Sequence, residues 1–310
     1  MSTESLPPSK QATPVQSVIV QGFRAWFDYM SNPVPRHLRQ MGYVRELRAL
    51  RARRNRCRSA WHSHLEHTRS VILDAAAQCE QRRSALVVGS GLLFDIPLEE
   101  LSRQFENVVL VDIVHAWSVH RQVARFSNVR LLPLDVTGVV ERCHALARRR
   151  SAAPLPQRPV DCLVGEDFDL VASVNVLSQL PVVPNGYMSR RIRTLTDART
   201  REFSRALVTN HLDWLCSFPG IACLVTDLER LCYGDCGLVS REESLWGVAL
   251  PEGGRDWLWD LAPRPEMYFH LDVRHRVGGY ASFPWRAWLD ARDRTEAAAT
   301  EAPAAASVVE

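Results

Sequence analysis

Small and acidic residues stand directly after the apolar, strand-like runs of this sequence. The run Ala85–Val88 enters the loop Gly89-Ser90-Gly91, and the next run, Val108–Val111, ends at Asp112. Glycines let a backbone approach a ligand closely, and an acid after the following strand can accept hydrogen bonds from both hydroxyls of a ribose. This spacing predicts a nucleotide-binding unit built from strands and helices.

Two further strand-like runs end in polar residues of the same kind. Asp135 follows Val129–Leu134, and Asn175 follows Phe168–Val174. In an open sheet of parallel strands, ligands bind beyond the carboxyl ends of the strands, at the switch in strand order. We therefore expect these residues to converge with Asp112, so that two carboxylates hold the ribose and adenine ends of one nucleoside.

Alternating strand-like and helical segments must position these residues. Strands separated by helices predict a mainly parallel sheet that is covered on both faces. Two late runs, Met267–Val273 and Val277–Phe283, lie around Gly278-Gly279 and predict a hairpin. The expected fold class is α/β: a seven-stranded, mostly parallel, doubly wound sheet with a C-terminal antiparallel hairpin, preceded by N-terminal helices.

Composition divides the chain into four segments. Residues 1–16 are polar, residues 17–80 read as a helical extension, residues 81–290 as a Rossmann-like domain, and residues 291–310 as an Ala-rich tail. We expect both terminal segments to be disordered. The helical extension is expected to cover the site as a lid, and its candidate lining residues are Trp26, Tyr29, Tyr43, Trp61, His64 and His67.

Charge and composition argue against a membrane-spanning protein, a metal site and an RNA-binding surface. The net charge is +3, and no apolar run has the roughly 18 residues of a membrane span. The eight cysteines form no C-x-x-C pair, which favours free thiols in a reducing cytoplasm and predicts no metal site. Nine arginines in Arg36–Arg58 suggest RNA binding, but the spacing of Val44, Leu47 and Leu50 favours a solvated helix that packs on one face. The oligomeric state is left open.

Four motifs, in this order, resemble those of the class I S-adenosylmethionine-dependent methyltransferases. They are Leu86-Val-Val-Gly-Ser-Gly91, Val109-Leu-Val-Asp112, Val129-Arg-Leu-Leu-Pro-Leu-Asp135 and Phe168-Asp-Leu-Val-Ala-Ser-Val-Asn175. The resemblance covers residues 84–283 and implies S-adenosylmethionine as the cofactor. It implies that the glycine loop lies under the cofactor and that Asp112, with its neighbour Ile113, holds the ribose. It further implies that Asp135, with Val136, meets the adenine and that Asn175 lies near the methionine part.

The glycine loop departs from the family pattern in two places. Many members carry an acid two positions before the first glycine, where it helps to bind the methionine part, and this chain has Val87 there. The apolar insert Leu92–Phe94 follows the loop and delays the next helix. Asp95 then either replaces the missing polar contact or caps that helix.

Methyl transfer requires that the acceptor be aligned with the methyl group and shielded from water. A general base is needed only when the attacking atom must lose a proton. The candidate catalytic residues are Asp227, after the run Ile221–Thr226, and His211, in the long helical region Asn185–Cys216.

These features favour methyl transfer to a small-molecule acceptor and leave three alternatives. A NAD(P)-dependent oxidoreductase explains Asp112 but gives Asp135 no role, and the position of its third glycine is here Phe94. The second alternative is an RNA methyltransferase, which would transfer the same methyl group to a different acceptor. A non-catalytic binding or scaffold protein that kept the fold is the third alternative.

Overall fold

The computed structural model describes residues 34–151, 153–156 and 160–301. The segment 1–16, predicted to be disordered, lies outside these residues, as do Trp26, Tyr29 and residues 302–310. No helix in the described ranges is long and apolar enough to cross a membrane.

In the described part of the chain, eight strands form one sheet. They are β1 Ser84–Val88, β2 Asn107–Asp112, β3 Val129–Pro133, β4 Leu170–Val174, β5 Ile221–Gly234, β6 Gly237–Glu243, β7 Arg255–Ala262 and β8 Asp272–Tyr280. Their order is β3-β2-β1-β4-β5-β8-β7, and β6 pairs with β5 outside this path. Neighbours among β1 to β5 are parallel, and β8 is antiparallel to both β5 and β7, so β7 runs with the parallel set. This topology confirms the predicted α/β fold class and adds one strand, β6, to the seven that were expected.

Helices cover both faces of the sheet. They are α1 Arg36–Met41, α2 Tyr43–Arg56, α3 Arg58–Ala77, α4 Leu98–Gln104, α5 Trp117–Val123, α6 Val140–Arg149, α7 Val182–Ser189, α8 Asp197–Cys216 and α9 Trp285–Glu301. Side chains alternate along β1, so that Leu86 and Val88 join one core with α6, α7 and α8. Ala85 and Val87 join the other core with α3, α4 and α5. Burial on both faces explains why the parallel strands read as uninterrupted apolar runs.

The antiparallel hairpin lies elsewhere than the sequence predicts. It pairs β7 with β8, and Gly278-Gly279 sits inside β8 instead of in a turn. A Cβ on Gly279 would come within 2.7 Å of the Trp257 ring. Glycine at this position leaves room for the Trp257 ring of the neighbouring strand β7. The predicted turn at Gly278-Gly279 is wrong.

Strand β5 continues well past its predicted end at Thr226. It passes through Asp227 to Gly234 and turns back into β6. The register with β8 shifts between Asp227 and Glu229, which marks a bulge. Asp227 therefore lies within a strand that is paired beyond it, whereas the sequence predicted a position at the strand end.

Two helical predictions also change. The long region Asn185–Cys216 is divided into α7 and α8. At the C-terminus, α9 reaches Glu301 and so crosses the first part of the segment 291–310 that was predicted to be disordered. Alanine favours helix, and Trp288 anchors α9 because it is 4% exposed and donates from Nε1 to Asp213 at 3.0 Å.

Candidate active site

A cavity of about 390 Å³ opens at the carboxyl ends of the parallel strands. It lies where the strand order switches, because the chain moves from β1 outward to β2 and β3 and then returns to β4 on the other side of β1. Ligand pockets commonly have volumes of roughly 300–1,000 Å³. The predicted site residues that line this cavity are Gly89, Gly91, Asp95, Asp112, Ile113, Asp135, Val136, Asn175 and Asp227.

The glycine loop brings backbone instead of side chains to the cavity. Gly89 and Gly91 have left-handed backbones, with φ of 81° and 49°. A Cβ on Gly89 would lie 2.3 Å from the carbonyl oxygen of Val174, so glycine is the residue that fits there. Ser90, between the two glycines, is fully buried and is not among the lining residues.

Asp112 ends β2 and ties that strand to the glycine loop. Its Oδ2 accepts a hydrogen bond from the backbone N–H of Gly91 at 2.8 Å, and its Oδ1 accepts from that of Val114 at 3.4 Å. Burial raises the pKa of the Asp112 carboxyl, and the hydrogen bond from Gly91 opposes that shift. A carboxylate offers about four lone-pair sites, so Asp112 keeps acceptor capacity toward the cavity.

Asp135 follows β3 and organises the turn that leads into α6. Its Oδ1 accepts from the backbone N–H of Thr137 at 2.9 Å and from the Thr137 hydroxyl at 2.6 Å. Its Oδ2 accepts from the backbone N–H of Val140 at 2.9 Å. These bonds occupy three of the roughly four lone-pair sites of the carboxylate, which leaves room for one further donor.

Asp95 faces the cavity and does not cap the helix that follows it. Helix α4 begins after Pro97 without a side-chain cap, which rules out the capping interpretation. The insert residues Leu92 and Leu93 are buried in the core, and this packing accommodates the long loop. The Asn175 side chain donates from Nδ2 to Asp95 Oδ2 at 2.7 Å. Burial raises the pKa of the Asp95 carboxyl, and this hydrogen bond opposes the shift.

Asn175 holds a left-handed backbone at the end of β4, with φ of 51°. Asparagine is one of the few residues besides glycine that adopt this conformation readily. Its buried Oδ1 has no hydrogen-bond partner within the described residues. A buried amide oxygen without a donor calls for a partner outside the chain, such as a ligand or water.

Asp227 is the most buried acid of the lining, with 2% of its surface exposed. Its Oδ2 accepts from the Ser178 hydroxyl at 3.3 Å and from Gln179 Nε2 at 3.2 Å, and it lies 3.1 Å from His275 Nδ1. Its Oδ1 is buried and has no hydrogen-bond partner among the residues described. Burial raises the pKa of the Asp227 carboxyl, whereas His275 and the hydrogen bonds lower it. The lowering effects are larger in sum, so the pKa lies below its ordinary value.

Trp257 fixes the tautomer of His64, which lines the cavity from α3. The indole Nε1 can only donate, and it donates to His64 Nδ1 at 3.1 Å. Burial lowers the pKa of His64 to about 4, so the ring is neutral at pH 7 and carries its hydrogen on Nε2. The ring stacks on Trp259 with 3.9 Å between centroids, and Nε2 lies 3.4 Å from Asn175 Nδ2.

His275 is a lining residue that the sequence analysis did not single out. It pairs opposite Trp259 in the β7–β8 ladder. The signal that could have found it is the alternation Val273, His275, Val277, in which all three side chains are buried. A histidine at a buried strand position is a polar group that needs a partner, and Asp227 is close to it.

His211 lies outside the cavity. It is fully buried on α8, and its Nε2 shares a hydrogen bond with the Ser173 hydroxyl of β4 at 2.8 Å. Burial lowers the pKa of His211 to about 4. His211 therefore holds α8 against the sheet instead of facing an acceptor.

Helices α2 and α3 form one side of the cavity. Tyr43, Trp61 and His64 belong to its lining, as the sequence predicts for a lid. His67 does not line it, because its ring stacks beside Trp257 with 5.4 Å between centroids. The part of the N-terminal extension that the structure describes is therefore a wall of the site.

Several arginines of α2 contact the body of the protein. Arg56 pairs with Glu266 at 2.6 Å, and the Arg54 guanidinium lies 4.8 Å from the centre of the Phe94 ring. Leu47 and Leu50 are partly buried against the core. These contacts agree with a helix that packs on one face.

Comparisons with known proteins found similarity in three dimensions only. No protein-family model matches the chain, and no curated protein matches it. Similar solved structures include the N-methyltransferase NodS from Bradyrhizobium japonicum WM9 in complex with S-adenosyl-L-homocysteine, with 14% identity and a TM-score of 0.34 over 69% of this chain and 85% of that chain. Another is the 1,6-didemethyltoxoflavin-N1-methyltransferase of Burkholderia thailandensis, with 12% identity and a TM-score of 0.31 over 88% and 93% of the two chains.

A third similar structure is the complex of DhpI with SAM and HEP, with 13% identity and a TM-score of 0.34 over 85% of this chain and 90% of that chain. NodS and the toxoflavin enzyme are named as methyltransferases, the class that the sequence motifs indicate. Identities and TM-scores this low carry no information on function, which must come from the residues of the site.

Proposed function

We propose that this protein transfers the methyl group of S-adenosylmethionine to a small-molecule acceptor. The observation that carries the proposal is the convergence of the glycine loop with several acids around one cavity at the switch point of the sheet. The lining contains five carboxylates and one guanidinium, from Glu46, Asp95, Asp112, Asp135, Asp227 and Arg53. Such a lining suits a ligand that carries a sulfonium, an ammonium and several hydrogen-bond donors.

Each part of the cofactor finds a complementary group. We assign the ribose hydroxyls to Asp112, whose carboxylate keeps free acceptor capacity, and the adenine amino group to Asp135 beside Val136. We assign the ammonium of the methionine part to Asp95 together with the unpartnered Oδ1 of Asn175. Asp95 thereby takes the place of the acid that the family carries at the position of Val87.

When bound, S-adenosylmethionine supplies an electrophilic methyl group on a sulfonium. The residues of the chain then have to bind the acceptor, align it and exclude water. Tyr43 and Trp61 on α2 and α3 shield the cavity on one side. His64 and Asp227 add a hydrogen-bond donor and an acceptor to the lining.

Transfer of label from methyl-labelled S-adenosylmethionine tests this proposal. The acceptors are a low-molecular-mass fraction of a cell extract and, separately, total RNA. We expect label in the low-molecular-mass fraction with the wild type and none with Asp112→Ala. Label in RNA would favour the RNA variant, and binding of the cofactor without label in either fraction would favour a non-catalytic protein.

A further inference from the structure

Asp227 lines the cavity and carries an acceptor oxygen that none of the described residues satisfies. Its three neighbours, Ser178, Gln179 and His275, all meet Oδ2, whereas the buried Oδ1 has no partner among the described residues. A buried carboxylate oxygen without a donor costs free energy, so such an atom is typical of a ligand contact. The group that completes it must donate a hydrogen bond.

The charge of the surroundings narrows the class of ligand. Apart from the acids assigned to the cofactor, the lining contains Asp227 and Glu46, opposed by Arg53. Arg53 Nε lies 3.7 Å from Glu266, which Arg56 holds at 2.6 Å, and it has no hydrogen-bond partner among the described residues. Glu46 is exposed and pairs with Arg45. His64 is neutral at pH 7 and adds no positive charge. An anionic group at Asp227 Oδ1 would be repelled by that carboxylate, whose other oxygen lies 3.1 Å from His275 Nδ1, whereas a hydrogen-bond donor would be attracted to it.

We propose that the acceptor is a small amine on an apolar body, methylated at nitrogen, and that Asp227 Oδ1 accepts a hydrogen bond from the N–H of that nitrogen. This inference rests on the proposed methyl transfer and adds the class of acceptor to it. Asp227 is then a residue that contacts the reacting nitrogen.

The reaction explains why nitrogen fits better than oxygen. An aliphatic amine first loses its ammonium proton to water. The neutral amine then attacks with its lone pair, the N–C bond forms as the C–S bond breaks, and the bonding pair stays on sulfur as a thioether. The nitrogen gains positive charge during this step, so the carboxylate beside its N–H stabilises the transition state more than the ground state. The methylammonium product then loses its proton to water after release.

A hydroxyl acceptor would not be stabilised by the negative charge of Asp227. It must give up its proton to a base, which in this lining would be His275, and the resulting oxyanion would lie beside the Asp227 carboxylate. The pKa of Asp227 lies below its ordinary value, which makes it a weak base, because His275 and the hydrogen bonds outweigh the effect of burial.

Apolar side chains line much of the cavity and can contact the apolar body of the amine. The lining residues of this kind include Leu47, Leu50, Phe94, Leu180, Val183 and Leu261. Apolar walls with a few placed polar groups are typical of small-molecule sites. The expected acceptor is therefore an amphiphilic amine instead of a polyamine or a sugar.

A matched ligand screen tests the inference. The full-length protein is first saturated with S-adenosylhomocysteine, and its affinity for that ligand is measured by calorimetry. Fragments are then compared in sets that share one apolar body and differ in carrying an amine, a hydroxyl or a carboxylate, such as 2-phenylethylamine, 2-phenylethanol and 3-phenylpropionate. We expect amines to bind roughly ten- to a hundredfold more tightly than their carboxylate partners, the range of a charge-assisted hydrogen bond.

Two variants test whether Asp227 causes the preference for amines. Asp227→Asn is expected to abolish the preference for amines while the affinity for S-adenosylhomocysteine stays unchanged, which shows that the variant is folded. The control Asp197→Asn changes an exposed acid in the first turn of α8 and should leave the preference intact. Failure to bind S-adenosylhomocysteine would contradict the proposed function itself. Normal binding of that ligand would overturn the inference alone if amines are not enriched among the binders, or if Asp227→Asn keeps the preference.

Discussion

The side chain of Asn175 donates a hydrogen bond to Asp95 at 2.7 Å and so joins two residues that are 80 positions apart in the chain. Asp95 reaches this place because Leu92 and Leu93 of the apolar insert before it are buried in the core. The pair supplies a carboxylate beside the glycine loop, although the usual position for one holds Val87. Under the proposed function, Asp95 supplies after the loop the acid that many class I methyltransferases carry before it, at the position of Val87.

Asp95→Asn tests this relocation. We expect it to weaken binding of S-adenosylhomocysteine by roughly ten- to a hundredfold, because a charge-assisted hydrogen bond to the ammonium is lost. Methylthioadenosine, which lacks the amino acid part, should bind the variant as tightly as the wild type. Calorimetry with both ligands makes the comparison, and an equal loss for the two would show that Asp95 only supports the loop.

The two glycines of the loop should differ in their tolerance to alanine. In Gly91→Ala the Cβ comes no closer than 3.8 Å to its nearest neighbour, the backbone oxygen of Gly89, so the cost is that of a left-handed alanine, about 1–2 kcal/mol of unfolding free energy. Gly89→Ala should cost clearly more, because its Cβ would press on the backbone oxygen of Val174 at 2.3 Å. Urea unfolding of both variants measures the difference, and equal costs would contradict the close approach of loop and β4.

Two buried histidines predict how stability depends on pH. The pKa of His64 and that of His211 are both lowered by burial to about 4, whereas an unfolded histidine has a pKa of about 6.5. The unfolded chain therefore binds more protons between these values, and stability must fall as the pH falls from 6.5 to 4. The loss is on the order of 3 kcal/mol for each imidazole.

His211→Gln provides the control for this pH dependence. It should take up about one proton fewer on unfolding at pH 5 than the wild type, as the slope of unfolding free energy against pH reports. An unchanged slope would contradict a neutral, buried His211.

The same variant separates His211 from Asp227 in the reaction. His211→Gln should leave the rate of methyl transfer unchanged, since His211 lies outside the cavity. Asp227→Asn should lower the single-turnover rate by roughly 10²–10³, the range for removing one group that stabilises transition-state charge. Both rates are measured with the amine identified by the ligand screen, and a large loss in His211→Gln alone would reverse the assignment.

The sequence predicted the part of this molecule that depends on local signals. Apolar runs followed by glycine, an acid or asparagine located β1 to β4, and parallel strands necessarily bring Asp112 and Asp135 to one edge. The antiparallel region was harder to predict, because Gly278-Gly279 has the composition of a turn. Only the packing of Trp257 explains why glycine lies within β8. His275 escaped notice for the same reason, since its role depends on the register of β8.

The choice between two roles for Asp95 also required the fold. Its distance in sequence from α4 allows a cap, and only the burial of Leu92 and Leu93 places it beside Asn175 instead. His211 shows the converse case, because a histidine on a helix near the site looks the same in sequence whether it faces the cavity or the core.

The most direct test of a methyltransferase site is calorimetric titration of the wild type and of Asp112→Ala with S-adenosylhomocysteine and with NADH. The convergence of the glycine loop and Asp112 predicts that the wild type binds S-adenosylhomocysteine, that Asp112→Ala loses most of this affinity, and that NADH gives no heat. Absence of heat with S-adenosylhomocysteine, or tight binding of NADH in its place, would contradict the assignment of the site.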